Sequence, residues 1–255
     1  MFSTSLIITT YNRPDALFLV LQSLARQRVA PKEVIVVDDG SLSGTGKVVD
    51  YWRGRLKCQV IHAWQRDHQF RAARSRNLGI EKASGEQIVF VDGDCLMPPW
   101  FIEAHRNLFG ENTMVAGSRH LLSLEETEQL LNTSDFNSLP LFSSIKFYRL
   151  KNSWMRALLR SNWRQVRTCN LSLSRSTLIK VGGFDEAYVG WGREDSDLVI
   201  RLQNEGVKII SGRYATCVEH LYHAEESRAS VDWNNNRFQA VQRNSCVKPR
   251  KSLFI

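Results

Sequence analysis

No stretch of this 255-residue chain reaches the roughly 18 uninterrupted apolar residues that a spanning helix needs. The N-terminal run MFSTSLIITT has neither the basic start nor the small-residue cleavage pattern of a secretory leader, so a cytoplasmic protein is expected. Cysteines are few. Cys58, Cys95, Cys169, Cys217 and Cys246 are odd in number, widely scattered and without a CxxC pair, which argues against a disulfide framework or a thiolate zinc site and leaves them as reduced packing residues. Acidic residues are missing altogether between Phe136 and Phe184. Lys146, Arg149, Lys151, Arg156, Arg160, Arg164, Arg167, Arg175 and Lys180 lie in that interval, and they account for the net charge of +8. Such a run is either a solvated helix face or a surface that meets an anionic partner. Internal repeats, low-complexity tracts and obvious linkers are also lacking.

What is present is a hydrophobic content of 43%, enough for a sizeable core, arranged with the periodicity of an α/β protein. Ser5 to Thr10 is a short β-branched run, and Asp15 to Arg28 places Ala16, Leu17, Val20, Leu21 and Leu24 on one helical face. Glu33 to Asp38 is a continuous apolar run of the kind buried in parallel sheets. The strand, helix, strand order then repeats with Gln59 to Ala63, Arg71 to Ala83 and Gln87 to Val91. In open parallel sheets the ligand lies beyond the carboxyl ends of the strands, so Thr10, Asp38, Asp39 and Asp92 are expected to converge on one crevice. Further along, Glu125 to Gln129 starts a helix and Ile145 to Arg167 predicts an amphipathic basic helix with Leu150, Trp154 and Leu158 in line. Glu194 to Asn204 predicts a helix with acidic residues in its first turn, and Val207 to Ser211 a strand.

Asp92-Gly93-Asp94 sits where a buried strand runs into a loop. Two carboxylates around a glycine can both reach one hard cation, because the glycine lets the backbone approach the ligand. Acidic tight turns are common, so the motif gains weight from its place after QIVFV. His220 and His223, three residues apart and beside the expected metal crevice, are candidate ligands, with at least one of them expected to bind; His62, His68, His105 and His120 are read as structural.

Thr9-Thr10-Tyr11-Asn12-Arg13-Pro14, Val37-Asp38-Asp39-Gly40-Ser41, Phe70-Arg71-Ala72-Ala73-Arg74-Ser75-Arg76-Asn77 and Phe90-Val91-Asp92-Gly93-Asp94 occur in that order, and together they resemble the motifs of family two glycosyltransferases. The resemblance implies a GT-A fold, a Rossmann-like, mostly parallel sheet flanked by helices. It also implies that Asp39 binds uracil, that Thr9 and Tyr11 line the base pocket, that Arg71 and Asn77 flank the nucleotide, and that Asp92 and Asp94 serve ribose and metal. A second stretch, Gly182-Gly183-Phe184-Asp185-Glu186 followed by Gly190-Trp191-Gly192-Arg193-Glu194-Asp195-Ser196-Asp197, is similar to the acceptor region of β-1,4-galactosyltransferases, whose pattern has glycine where this chain has Arg193. That likeness implies that Trp191 packs on the acceptor sugar and that Glu194 and Asp195 bind the acceptor and supply the base; it places the metal histidine at His223 and a soft ligand at His220.

The expectation is an inverting hexosyltransferase that uses Mn²⁺ or Mg²⁺ and a UDP-hexose or UDP-N-acetylhexosamine donor. Residues 1–110 would form the donor half and 111–255 the acceptor half of one compact domain. A sugar hydroxyl is a poor nucleophile and needs a general base, while the departing diphosphate develops charge that a divalent ion offsets. The basic segment, with Trp154 and Trp163 among its arginines, suits a glycan or lipid-linked anionic acceptor of surface polysaccharide synthesis, such as lipopolysaccharide or capsule, and an anionic membrane surface that the protein would meet peripherally. Nucleic acid is not expected as a partner, since carboxylates in the crevice would repel its phosphates. A nucleotidyltransferase that makes activated sugars would need a glycine-rich loop where Tyr11-Asn12-Arg13-Pro14 stands.

Overall fold

In the computed structural model, which describes residues 2–133, 162–224 and 228–254, the apolar runs of the N-terminal half become the parallel strands of a seven-stranded sheet. Thr4–Thr10 (β1), Glu33–Asp38 (β2), Gln59–Trp64 (β3) and Gln87–Asp92 (β4) are ordered β3-β2-β1-β4, with Thr9 opposite both Val37 and Asp92. Helices cover both faces of β1 and β2, which is why their side chains are apolar in succession and not alternately. Pro14–Ala25 (α1) and Ser43–Trp52 (α2) bury Leu17, Leu21 and Val49 with Leu6, Ile8 and Val36 on one face. Ala72–Lys82 (α3) buries Ala73 and Ile80 with Ile7, Ile35 and Val37 on the other. Gly79 sets the approach of α3, since a Cβ there would lie 2.6 Å from Cγ2 of Ile7. Helix α1 stops short of Arg28 because the chain turns to the next loop: Gln27 Nε2 donates to Pro98 O at 2.8 Å and Arg28 N to Pro99 O at 2.8 Å.

The second half extends the same sheet. Cys95–Leu96 (β5) and Phe101–Leu108 (α4) follow β4, then Thr113–Ala116 (β6), Arg119–Leu121 (β7) and Leu124–Asn132 (α5). Asn170–Ser174 (β8), Arg175–Lys180 (α6), Glu194–Asn204 (α7), Lys208–Ser211 (β9), Val218–His220 (β10) and Val231–Arg243 (α8) complete the described elements. The order continues β4-β8-β6-β9, with β8 antiparallel to both neighbours and the other pairings parallel. Strands β5, β10 and β7 form a separate small sheet. Under the large sheet, His105 of α4 is fully buried. Asn170 Nδ2 donates to Ser118 O, so its Oδ1 accepts from His105 Nε2 at 3.0 Å and His105 Nδ1 meets Ser172 Oγ at 2.8 Å. Burial lowers the pKa of this imidazole to about 4, so it is neutral and structural.

Most of the basic helix expected over Ile145–Arg167 lies outside the described residues. Its end does not remain α-helical: Trp163–Gln165 is a 3-10 turn capped by the Asn162 side chain, and Val166 is extended and buried. Among the described residues no helix is long and apolar enough to cross a membrane.

Candidate active site

The carboxyl ends of β1 and β4 open into a crevice of about 570 Å³, lined by Thr9, Tyr11, Arg13, Asp39, Asp92 and Asp94 from the first half and by Trp191, His220, Tyr222 and His223 from the second. Gly93 lets the two acidic residues after β4 turn into it. A Cβ at that position would lie 2.9 Å from Thr9 O, whose oxygen accepts from Gly93 N at 2.7 Å. Thr9 Oγ1 donates to Asp92 Oδ1 at 3.0 Å across the parallel pair.

The small sheet delivers the histidines. β10 pairs antiparallel with β5, setting His220 opposite Cys95, and Leu221 N donates to Asp94 O at 2.9 Å. His220 Nε2 therefore lies 3.6 Å from Asp94 Oδ1 and His223 Nε2 3.5 Å from Asp94 Oδ2, with the two rings 5.3 Å apart. Asp94, Cys95 and His220 offer ligand atoms within 4.8 Å of one another. Burial pushes the Cys95 thiol well above its ordinary range, while Asp94 and His220 offer a carboxylate and an imidazole, donors suited to a divalent ion of intermediate hardness. Arg13 Nη1, 3.3 Å from Asp94 Oδ2, sets a positive charge against the same carboxylate.

Asp39, which also lines the crevice, accepts at Oδ2 from Arg71 N at 2.8 Å, and the Arg71 guanidinium lies 3.9 Å from its Oδ1. Gln65 Nε2 also bonds Asp39, and Tyr11 OH donates to Asp67 Oδ2 at 3.0 Å. The expectation that Asp38 joins the crevice is corrected. Its Oδ1 accepts from Ser41 N at 2.7 Å and its Oδ2 meets His62 Nε2 at 3.1 Å, so the carboxylate closes the turn after β2 and is 1% exposed. Asn77, expected beside the nucleotide, is corrected likewise. It is fully buried, with Nδ2 donating to Phe184 O and Glu186 Oε1 at 2.9 Å each and Oδ1 accepting from Phe184 N at 2.8 Å. Asn77 thus ties α3 to the segment before α7. Asn77→Ala is expected to destabilise the protein by about 1–3 kcal/mol in urea unfolding, the cost of stranding buried polar groups, while UDP affinity stays unchanged; a selective loss of UDP affinity would return Asn77 to the donor pocket.

Helix α7 begins after Gly190, Gly192 and Arg193, all with positive φ, a reversal that brings Glu194 back toward α3. Arg76 of α3, missed by the motif reading, holds the two halves of the site together. Its Nη2 donates to Asp92 Oδ1 at 3.1 Å and its Nη1 to Glu194 Oε1 at 3.2 Å, and its side chain is only 6% exposed. A charged residue on the inner face of α3, among Ala72, Ala73 and Ser75, was the signal for it. Burial, and secondarily the neighbouring Asp195, raise the pKa of Glu194 to about 7, against the opposing pull of Arg76. Asp195 Oδ1 accepts from Ser196 N at 2.8 Å, and neither Glu194 nor Asp195 lines the crevice directly. Trp191 does line it, 44% exposed, with the Arg228 guanidinium 5.4 Å from its ring centre. Asp197, the third acid of the stretch, is consumed by Arg201 Nε at 2.6 Å.

An α/β sheet with a carboxylate and imidazole cluster at its strand ends defines a class, and sequence comparison names it. Residues 5–161 match the profile of glycosyl transferase family 2, to which the chain belongs, and residues 149–226 match the N-terminal domain of galactosyltransferase. Validoxylamine A glucosyltransferase of Streptomyces hygroscopicus subsp. limoneus is 31% identical over 262 residues, covering 92% of this chain and 55% of that protein. The chain thus spans about half the length of that relative. Among solved structures, S. aureus TarS 1-349 in complex with UDP superposes with a TM-score of 0.67 at 18% identity, over 95% of this chain and 66% of that one. A mannosyltransferase from Pyrobaculum calidifontis, in complex with GDP-Man and Mn²⁺, gives a TM-score of 0.62 at 18% identity, over 98% and 66%. These neighbours share the GT-A-type fold that the motif resemblance implied.

Proposed function

We propose that the chain transfers a hexose or N-acetylhexosamine from a UDP-sugar to a hydroxyl of a glycan or lipid-linked acceptor, with inversion, in surface polysaccharide synthesis such as that of lipopolysaccharide or capsule. The observation that carries this reading is that one crevice is lined by Asp39 and Tyr11, by Asp94 with His220 and His223, and by Trp191. The relative named for glucosyl transfer and the neighbour solved with UDP support the choice of donor.

In this reading Asp39, Thr9, Tyr11 and Arg71 hold the base, and Asp92 the ribose, with residues 1–110 as the donor half and 111–255 as the acceptor half. Asp94, His220 and His223 would hold Mn²⁺ or Mg²⁺, which supplies Lewis-acid compensation for the charge of the leaving diphosphate. The neighbour solved with Mn²⁺ and the carboxylate and imidazole donor set support that choice. Trp191 and Glu194 bind the acceptor sugar, and Asp195 takes the proton from its hydroxyl on the face opposite the nucleotide. The Arg76 bridge keeps the ribose side and the acceptor side in fixed relation, since movement of either carboxylate would strand a buried guanidinium. The basic segment would set the protein peripherally on the cytoplasmic face of a membrane.

The test is a donor screen of the purified chain with Mn²⁺, following UDP release from UDP-glucose, UDP-galactose and their N-acetyl derivatives. Release from one of them, suppressed by chelator, is the expected result. Binding of none of these donors, nor of UDP, in Mn²⁺ would overturn the reading.

A further inference from the structure

A second cavity, of about 350 Å³, opens at the same edge of the large sheet as the crevice. Because β8 runs antiparallel between β4 and β6, strands β6 and β9 point the same way as β1 and β4. Their carboxyl ends therefore emerge beside the amino end of β8, and the segments adjoining these ends carry the charges. Arg119 after β6, Arg213 after β9, and Arg164 and Arg167 before β8 all line the cavity, and among the described residues no carboxylate does. Among the described residues none of these arginines forms an ion pair.

The cavity has a built floor. The Asn170 side chain fills the space beside Gly117, where a Cβ would collide with its Oδ1. Asn170 Nδ2 donates to Ser118 O at 2.8 Å, Gly117 N donates to Asn170 O at 2.9 Å, and Gly212 N donates to Ala116 O at 2.8 Å. The rim is held as well. Arg167 Nη1 donates to Arg164 O at 2.7 Å and to Val166 O at 2.8 Å, and the Arg164 guanidinium lies 4.6 Å from the centre of the Trp163 ring, which packs on Phe238. Like charges fixed around a common space repel one another, and an anion between them turns that repulsion into attraction. A tetrahedral phosphate offers oxygens in several directions and can accept from two or three guanidinium groups at once, whereas a planar carboxylate is matched by a single fork.

We propose that this cavity is a phosphate-binding subsite for the acceptor. The inference rests on the transfer reading above, in which the donor diphosphate is accounted for at Asp94, so that a second anionic group belongs to the other substrate. Arg119 lines both the cavity and the crevice, so a phosphate held here sits next to the space where an acceptor hydroxyl meets the donor.

Inorganic phosphate and glucose 1-phosphate, titrated calorimetrically into the full chain with chelator present to keep them from a metal at Asp94, test the proposal. Both are expected to bind, glucose 1-phosphate more tightly, and Arg167→Gln/Arg213→Gln is expected to weaken both at least tenfold while Mn²⁺-dependent UDP affinity is kept. All the substituted residues are exposed, and thermal unfolding without ligand checks the fold. Arg53→Gln/Arg55→Gln, which removes the same charge beyond α2, is expected to leave phosphate binding intact. Equal weakening by both pairs would reduce the effect to net charge and overturn the site. Phosphate bound as tightly as glucose 1-phosphate would assign the cavity to the free ion, and tighter binding of glucuronate would assign it to a carboxylate; each overturns the acceptor role. Failure of the transfer reading would show separately, as absence of Mn²⁺-dependent UDP binding by the unaltered chain.

Discussion

Asp94→Ala is expected to abolish the metal dependence of UDP binding. The diphosphate brings negative charge to a crevice that already holds Asp39, Asp92 and Asp94, and without a cation between them these groups repel. Asp94 is the common member of the cluster: both histidine side chains face its carboxylate, one at each oxygen, and Arg13 meets the second oxygen as well. Alanine therefore removes the carboxylate that both imidazoles face, and releases Arg13 toward the phosphates, which limits the loss in chelator but not in Mn²⁺. Calorimetry with and without Mn²⁺ should show an unaltered chain that binds UDP at least a hundredfold more tightly with metal, about 2.7 kcal/mol, and a variant whose two affinities coincide. Equal UDP affinity of the unaltered chain in chelator and in Mn²⁺ would remove the metal from this loop. His220→Ala and His223→Ala, measured in the same way, divide the ligand role between the buried and the half-exposed imidazole.

The reach of the sequence differed along the chain for physical reasons. Strand β2 was legible to the residue, Glu33 to Asp38, because a strand buried on both faces must be apolar throughout, and helix α7 because its acids gather at its amino end. Helix α2, SGTGKVVDYW, was not legible: its two glycines argue locally for a loop, and burial of Thr45, Val49 and Trp52 overrides them. Strands β6 and β8 are short and earn their place from neighbours distant in sequence, which periodicity does not register. At the site, motif order located Thr9, Asp39, Asp92, Asp94, Trp191, His220 and His223 on one crevice. It misjudged Asp38 and Asn77, whose polar side chains are absorbed by a turn and by a contact between α3 and the segment before α7. It passed over Arg76, whose part depends on Asp92 and Glu194 meeting although they stand in opposite halves of the chain.

Asp195→Asn is expected to lower transfer by about a hundredfold or more, roughly 2.7 kcal/mol in the transition state, and to leave UDP binding near its original value. Asparagine keeps the shape and an accepting carbonyl for Ser196 N, and removes only the capacity to take a proton. The neighbouring Glu194 is in the same first helical turn but in a different setting. It is mostly buried against Arg76, and its raised pKa means that it carries its charge, and holds that pair at full strength, only above about pH 7. A carboxylate whose pKa is raised is protonated below that value, so the rate of the unaltered enzyme should climb as pH rises through about 7. Glu194→Gln, which cannot titrate, should remove that rise and raise the acceptor concentration needed for half-maximal rate. Asp195→Asn should keep the rise at a uniformly lower rate. The two profiles separate the roles: a pH-independent loss of turnover in Asp195→Asn marks the proton acceptor, and normal turnover in that variant with abolished transfer in Glu194→Gln would move the base to Glu194. The product supplies an independent check, because a base working opposite the leaving nucleotide converts an α-linked donor into a β-glycoside. An NMR coupling constant showing retained α configuration would exclude single displacement with either residue as base.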